Sequence, residues 1–251
     1  MNLLAIQLLV RRDLVRLVRQ PARIVATIAT PLLLGLFLAS GFARAASPLG
    51  ADYGQYLLAG MLVLVVMFSS IFSAISLIDD RERGVLQGLL VSPLPWRSIA
   101  LARLIGAAIA ALAQACVLLL VAVAFGLAEF SSRLMLALLA LTLVSIGTTG
   151  LGLTMAWFVR SKEGFHGIMN LVLMPMWLLS GAFFDTDSAA PFLSAIMSLN
   201  PLMHATEALR ASTLHNADAS AINWIIAGVY ALVGFGLAMQ SIGRPTRPGT
   251  I

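Results

Sequence analysis

Charged side chains along this chain are gathered into short clusters. Between the clusters run six uncharged windows, at residues 24–43, 53–78, 104–128, 134–159, 164–184 and 219–243. Each is at least as long as the ~20 apolar residues that cross ~30 Å of hydrocarbon as a helix. Backbone polar groups find no water in lipid, so the windows are predicted as helices. Strictly alternating apolar and polar positions are absent, which argues against a membrane barrel. The pattern predicts an all-α membrane protein, with six transmembrane helices over residues 24–243 and one domain over residues 1–251.

The segments between the windows carry their own periodicities. In residues 1–23, Leu3, Ile6, Val10, Leu14 and Leu17 share one side of a helix, and Arg12, Arg16, Arg19 and Arg23 lie opposite. That describes an amphipathic helix lying in the membrane interface, its arginines toward anionic headgroups, and broken at Gln20-Pro21. Between windows two and three, Asp79 to Arg97 reads DDRERGVLQGLLVSPLPWR. As a helix it places Val85, Leu86, Leu89 and Leu90 on one face, stopped by Pro93 and Pro95. Asp79, Asp80 and Glu82 precede it, where acidic groups favour a helix N-terminus. The stretch is predicted to be a short helix at the membrane surface that receives force from another protein. Between windows five and six, residues 188–206 are uncharged, yet Pro191, Asn200, Pro201 and His204 make a poor span. Two short re-entrant helices fit better, with Glu207 and Arg210 spaced to pair on one face. Residues 244–251 are predicted to be a short tail.

Composition adds to this outline. The chain is 60% apolar and 11% charged, with a mean hydropathy of +0.95, values that exclude an ordinary soluble domain. The net charge of +5 would suggest nucleic acid until its distribution is considered. Of the 16 basic residues, only Arg44, Arg133 and Arg210 fall on one side of the predicted topology, and the other 13 fall on the opposite side. The positive-inside rule then places both termini in the cytoplasm and removes the nucleic-acid reading. Cys116 is the single cysteine, so neither a disulfide framework nor a thiolate metal site is expected. His204 and His215 lack a coherent third and fourth metal ligand. The only lysine, Lys162, lies outside any glycine-rich phosphate loop, so ATP and its magnesium must be bound by another polypeptide if transport is ATP-driven.

Membrane-embedded polar residues are functional suspects by default. Gln114 and Asn170 are the candidates for a transport pathway, joined by Met174 and Met176, whose flexible thioethers suit varied apolar ligands as readily as they fill gaps. The Ala, Gly, Ser and Thr residues of windows three and four are read first as helix packing. An intramembrane enzyme is the weakest reading. Asp79 and Asp80 share the end of one span, and Ser180-Gly181 lacks the preceding glycine of a membrane serine protease, with His166 the best available base. A six-span channel or scaffold that recruits a cytoplasmic partner is the main alternative to a transporter.

With these residues in view, the chain resembles the permease subunits of type-2 ABC exporters, nearest to those for drugs and lipo-oligosaccharides. The likeness spans essentially the whole chain. It rests on the basic leader running into Arg19-Gln20-Pro21, on Glu82-Arg83-Gly84-Val85-Leu86 leading to Leu89-Leu90-Val91-Ser92-Pro93-Leu94, on Leu179-Ser180-Gly181-Ala182-Phe183-Phe184, and on Asn200-Pro201-Leu202 followed by His204, Glu207, Leu209 and Arg210. Gln87 stands where many relatives carry an acidic residue, and Asp185 where a proline is common. The resemblance implies a homodimer of permeases in a bacterial inner membrane, each copy bound to a cytoplasmic ATPase subunit. Arg12, Arg16, Arg19, Glu82, Arg83, Gly84, Leu86, Leu89 and Pro93 would form the interface that couples to the ATPase. Asn200, Pro201, His204, Glu207 and Arg210 would belong to outer re-entrant helices capping the exit of a pathway for an amphipathic or lipid-like substrate.

Overall fold

The computed structural model describes residues 3–42, 53–92, 94–128, 131–159, 161–186, 189–213 and 220–242. Most of these residues are helical, and no strand occurs among the described residues. In chain order the helices are α1 (Leu3–Val18), α2 (Pro21–Phe42), α3 (Tyr53–Glu82), α4 (Val85–Leu90), α5 (Trp96–Ala124), α6 (Leu134–Phe158), α7 (Lys162–Leu178), α8 (Pro191–Leu199), α9 (Pro201–Thr213) and α10 (Ala221–Ser241).

Five of them, α2, α3, α5, α6 and α10, are long and apolar enough to cross a membrane. The uncharged window at 164–184 predicts a sixth, but α7 has 17 residues and stops at Leu178. Residues 179–184 turn out of the helix instead, with Gly181 at φ +73°. Absence of charge reports compatibility with lipid, not helical backbone, and the window overran the helix for that reason.

Helix α3 is the axis of the molecule. Leu57 to Met67 is apolar on every face and buried on every face, as expected of a helix wrapped by others. α2, α5, α6, α7 and α9 all pack on it. α10 lies against α6 and α9, while α1 runs across α5. Close contact between α6 and α10 depends on small residues. A Cβ on Gly150 would collide with the backbone of Gly234, and Thr148 Oγ1 meets Tyr230 Oη at 2.9 Å. In lipid, where no hydrophobic force draws helices together, such fits and hydrogen bonds hold a bundle. The packing reading of these residues is the one seen in the α3–α6–α10 contacts.

Several boundaries differ from the sequence expectation. The leader helix ends at Val18, and α2 begins at Pro21, a residue whose fixed φ suits a first helical position. α5 begins at Trp96, eight residues before its uncharged window, because Arg97 and Arg103 are accommodated in its first turns. Asp79, Asp80 and Glu82 do not open the surface helix. They close α3, which runs on beyond its apolar stretch. The surface helix α4 is then only six residues long, joined to α3 through Gly84 at φ +73°, the left-handed conformation that ends many helices.

Candidate functional site

The two ends of α3 carry the chemistry. At one end, Asp80 is buried at 3% exposure and lies between cations from two other helices. Arg16 Nη1 of α1 donates to its Oδ1 at 2.7 Å, and Arg103 Nη2 of α5 donates to its Oδ2. Arg103 also reaches Asp13 of α1 at 3.3 Å, and Arg12 stands 3.0 Å from Asp13 and 3.7 Å from Asp80. A buried carboxylate is tolerated when its charge is paired and its lone pairs are filled, and here the pairing ties α1 to both α3 and α5. The residues beside Asp80 face other helices. Arg81 donates to the carbonyls of Trp157 and Val159, the open C-terminus of α6, and its guanidinium stacks over the Trp157 ring at 5.1 Å. Lys162, which opens α7, bridges Asp79 at 2.5 Å and Glu82 at 3.3 Å.

Helix α4 follows directly. Leu86 is buried at 2% exposure, whereas Val85, Gln87 and Gly88 face outward and Leu89 is half-buried. Leu86 thus anchors a short helix that leaves Val85, Gln87 and Gly88 open. Of the residues expected to couple to a partner, Glu82 and Arg83 are exposed just before it, and Arg19 is exposed after the end of α1. Arg16 is turned inward to Asp80, and Arg12 is half-buried over the same pair. Pro93 and the side chain of Leu90 lie outside the described residues.

At the opposite end, the 179–184 turn is stitched to α3 and α9. Tyr56 Oη donates to the Gly181 carbonyl at 3.0 Å and Tyr53 Oη to that of Phe183 at 3.1 Å. Arg210 of α9, buried at 5%, donates to the same Gly181 carbonyl, pairs with Glu207, and lies 3.9 Å over the Tyr56 ring. Asn200, at the junction of α8 and α9, donates to the carbonyls of Met176 and Leu179 at 2.6 and 3.0 Å. Its own Oδ1 accepts the Leu202 N–H, which caps α9 ahead of the helix formed from Pro201 onward. His204 Nδ1 lies 2.9 Å from Asn223 Oδ1 and Nε2 lies 3.0 Å from the Ser198 carbonyl, so both ring nitrogens are occupied within the protein. His215 lies outside the described residues. Ser180 Oγ donates to the Trp177 carbonyl at 2.6 Å, and His166 is exposed on α7. Neither stands in a nucleophile–base arrangement with the other.

The pathway candidates separate. Gln114 is buried between α5 and α3, where Nε2 donates to Ser69 Oγ at 2.8 Å and to the Ala110 carbonyl at 2.9 Å. It holds two helices together. Asn170 is exposed on α7, with Met174 and Met176 half-buried on the same helix. Sequence reasoning did not single out Asp13, Arg103, Tyr53 or Tyr56. The available signal was an acidic residue, Asp13, inside an otherwise basic leader, and tyrosines placed at the far end of an apolar run.

Comparison with known proteins identifies the family. Residues 4–214 match the family described as ABC-2 type transporter. A protein of Porphyra purpurea named as a transport permease, ycf38, is 30% identical over 82% of this chain and 72% of its own length. Nodulation protein J of Neorhizobium galegae is 25% identical over 77% of this chain and 75% of its own. The Escherichia coli K12 protein YbhR, named as a multidrug ABC transporter permease, is 25% identical over 66% of this chain and 46% of its own.

Proposed function

The chain belongs to the ABC-2 type transporter family, an integral membrane permease, and from that premise we propose that it is the transmembrane half of an ATP-driven exporter. ATP and magnesium reside on a separate cytoplasmic ATPase subunit. Two copies of this permease, paired in a bacterial inner membrane with their termini in the cytoplasm, enclose the pathway. α7 acts as the sixth span. Its 17 residues correspond to roughly 25 Å at ~1.5 Å per residue, at the short end of what crosses hydrocarbon.

The observation that carries this reading is the surface helix α4, held by Leu86 against the end of α3 and joined to it by the left-handed Gly84. A push on α4 is delivered to α3. From there it passes to α7 through Lys162 and to α6 through Arg81. The substrate is an amphipathic or lipid-like molecule. Supporting this are the apolar residues left open on α2 and α7, among them Val25, Leu33, Phe37 and Leu171, and relatives named for multidrug transport and nodulation. The test is co-expression with the cognate ATPase and measurement of nucleotide hydrolysis and export in membrane vesicles. Glu82→Lys and Gly84→Trp should abolish coupled export while the chain still inserts. Export at the wild-type rate in both variants would refute the role given to α4.

A further inference from the structure

Between α1, α2, α3 and α5, and closed on one side by Leu153 of α6, lies a small polar cavity that the transport reading does not use. It leaves about 30 Å³ in which the centre of a water-sized atom can lie, and its polar lining comprises Asp13, Arg16, Arg23, Arg103, Ser73 and Ser76. The charges around it do not balance. Counting Arg12 and Asp80, which pair with lining residues, four guanidinium groups, of Arg12, Arg16, Arg23 and Arg103, stand against two carboxylates, of Asp13 and Asp80. Those carboxylates are engaged by Arg12, Arg16 and Arg103.

Arg23 is left over. Among the described residues it pairs with no carboxylate. Its Nη2 makes a 3.3 Å hydrogen bond to Ser73 Oγ, its guanidinium lies 5.2 Å over the Phe72 ring, and its buried Nε has no partner. A buried donor without an acceptor costs about 1–3 kcal/mol, more when charged. A polar cavity needs roughly 10–15 Å³ of such space to hold a water, so water can occupy this one but cannot neutralise the excess charge. A phosphate group lowers that excess while filling the space: a lipid phosphodiester brings one negative charge and two non-bridging acceptor oxygens, and free phosphate brings more of both, to match guanidinium and hydroxyl donors.

We infer that this cavity binds a single phosphate group, as the ester of an anionic phospholipid headgroup or as free phosphate. The lining residues sit at the ends of α2 and α3 and beneath α1, the amphipathic helix of the membrane interface. Basic pockets between transmembrane helices at that level suit lipid headgroups. Bound there, a phosphate would bridge α1 to α2 through Arg16 and Arg23 and make the seating of the leader dependent on lipid. The inference needs the chain to lie in a membrane and is independent of ATPase coupling.

The test is native mass spectrometry of the delipidated full-length permease, titrated with phosphatidylglycerol, with a glucosyl diacylglycerol of the same acyl chains that lacks phosphate, and with inorganic phosphate. The wild type should retain one phosphatidylglycerol at least roughly tenfold more tightly than the glycolipid, the scale of a charge-assisted hydrogen bond. Arg23→Gln should remove that preference. Ser76→Leu, which fills the cavity and keeps every arginine, should remove it as well. Arg19→Gln, an exposed arginine nearby, should leave it intact. Displacement of the lipid by millimolar inorganic phosphate assigns the site to free phosphate, and resistance to displacement assigns it to lipid. Equal retention of the two lipids would overturn the inference, as would a Ser76→Leu protein that binds phosphatidylglycerol like the wild type, or an Arg19→Gln loss as large as that of Arg23→Gln. Melting curves without lipid establish that each variant is folded.

Discussion

Asp80 lies between guanidinium groups of two helices that are far apart in sequence. Replacing it with asparagine leaves Arg103 buried at 6% exposure with one of its two carboxylates removed. Breaking a buried pair on one side costs on the order of 3 kcal/mol. Asp80→Asn should therefore lower the melting temperature of the detergent-solubilised protein and expose α1 to limited proteolysis. Arg103→Leu should do more damage than Arg16→Leu, since Arg103 serves both Asp13 and Asp80. At the other end of α3, Tyr56→Phe removes the hydroxyl that donates to Gly181 but keeps the ring under Arg210. It should cost about 1 kcal/mol by thermal unfolding, and a drop in transport larger than the drop in stability would mark the turn as a working part. These residues were poorly legible in advance. Asp80 is one of two adjacent aspartates, and nothing local distinguishes the one that faces inward at Arg103 from the one that meets Lys162. That depends on helical phase and on partners 23 and 64 residues away.

Among the elements, the short helix α4, the helix pair α8–α9 and the basic leader were readable from apolar spacing and proline positions, because those signals are local. The length of α4 was not. Acidic residues ahead of an apolar stripe suit the start of one helix as well as the end of the preceding one, and only the left-handed Gly84 decides between them. Gly84→Ala should accordingly strain the α3–α4 joint by about 1 kcal/mol, with ATPase stimulation reduced more than membrane insertion. Packing between α6 and α10 predicts a different failure. Gly150→Val places a branched side chain against the Gly234 backbone, so the helices must separate, and the expected result is aggregation on solubilisation rather than a folded but uncoupled protein. Size-exclusion chromatography distinguishes the two.

For the whole molecule, the uncharged windows foretold a helical membrane protein, and five of the six correspond to helices long enough to cross. The fifth window, 164–184, did not distinguish helix from turn. The two motifs that looked separate in sequence, Leu179–Phe184 and Asn200–Arg210, form one unit. Asn200 and Arg210 both bond to backbone carbonyls of the first stretch. Contacts of this kind, side chain to backbone across 20 to 30 residues, leave no periodic trace.

Helix α3 joins Tyr56 at one end to Asp80 at the other across 24 residues of unbroken helix, roughly 36 Å at ~1.5 Å per residue. Azimuth along such a rod is conserved from end to end, so its two sets of partners are in register only at one particular residue count. Inserting a single alanine near Val65 would swing one terminus by about 100° relative to the other, and the chain could satisfy Gly181 or Arg103 but not both. Inserting four would bring the phase back to within about 40° at the expense of one extra turn of height. If activity returns in part with four added residues and not with one, torsional alignment of the two membrane faces, more than their separation, is what this helix preserves.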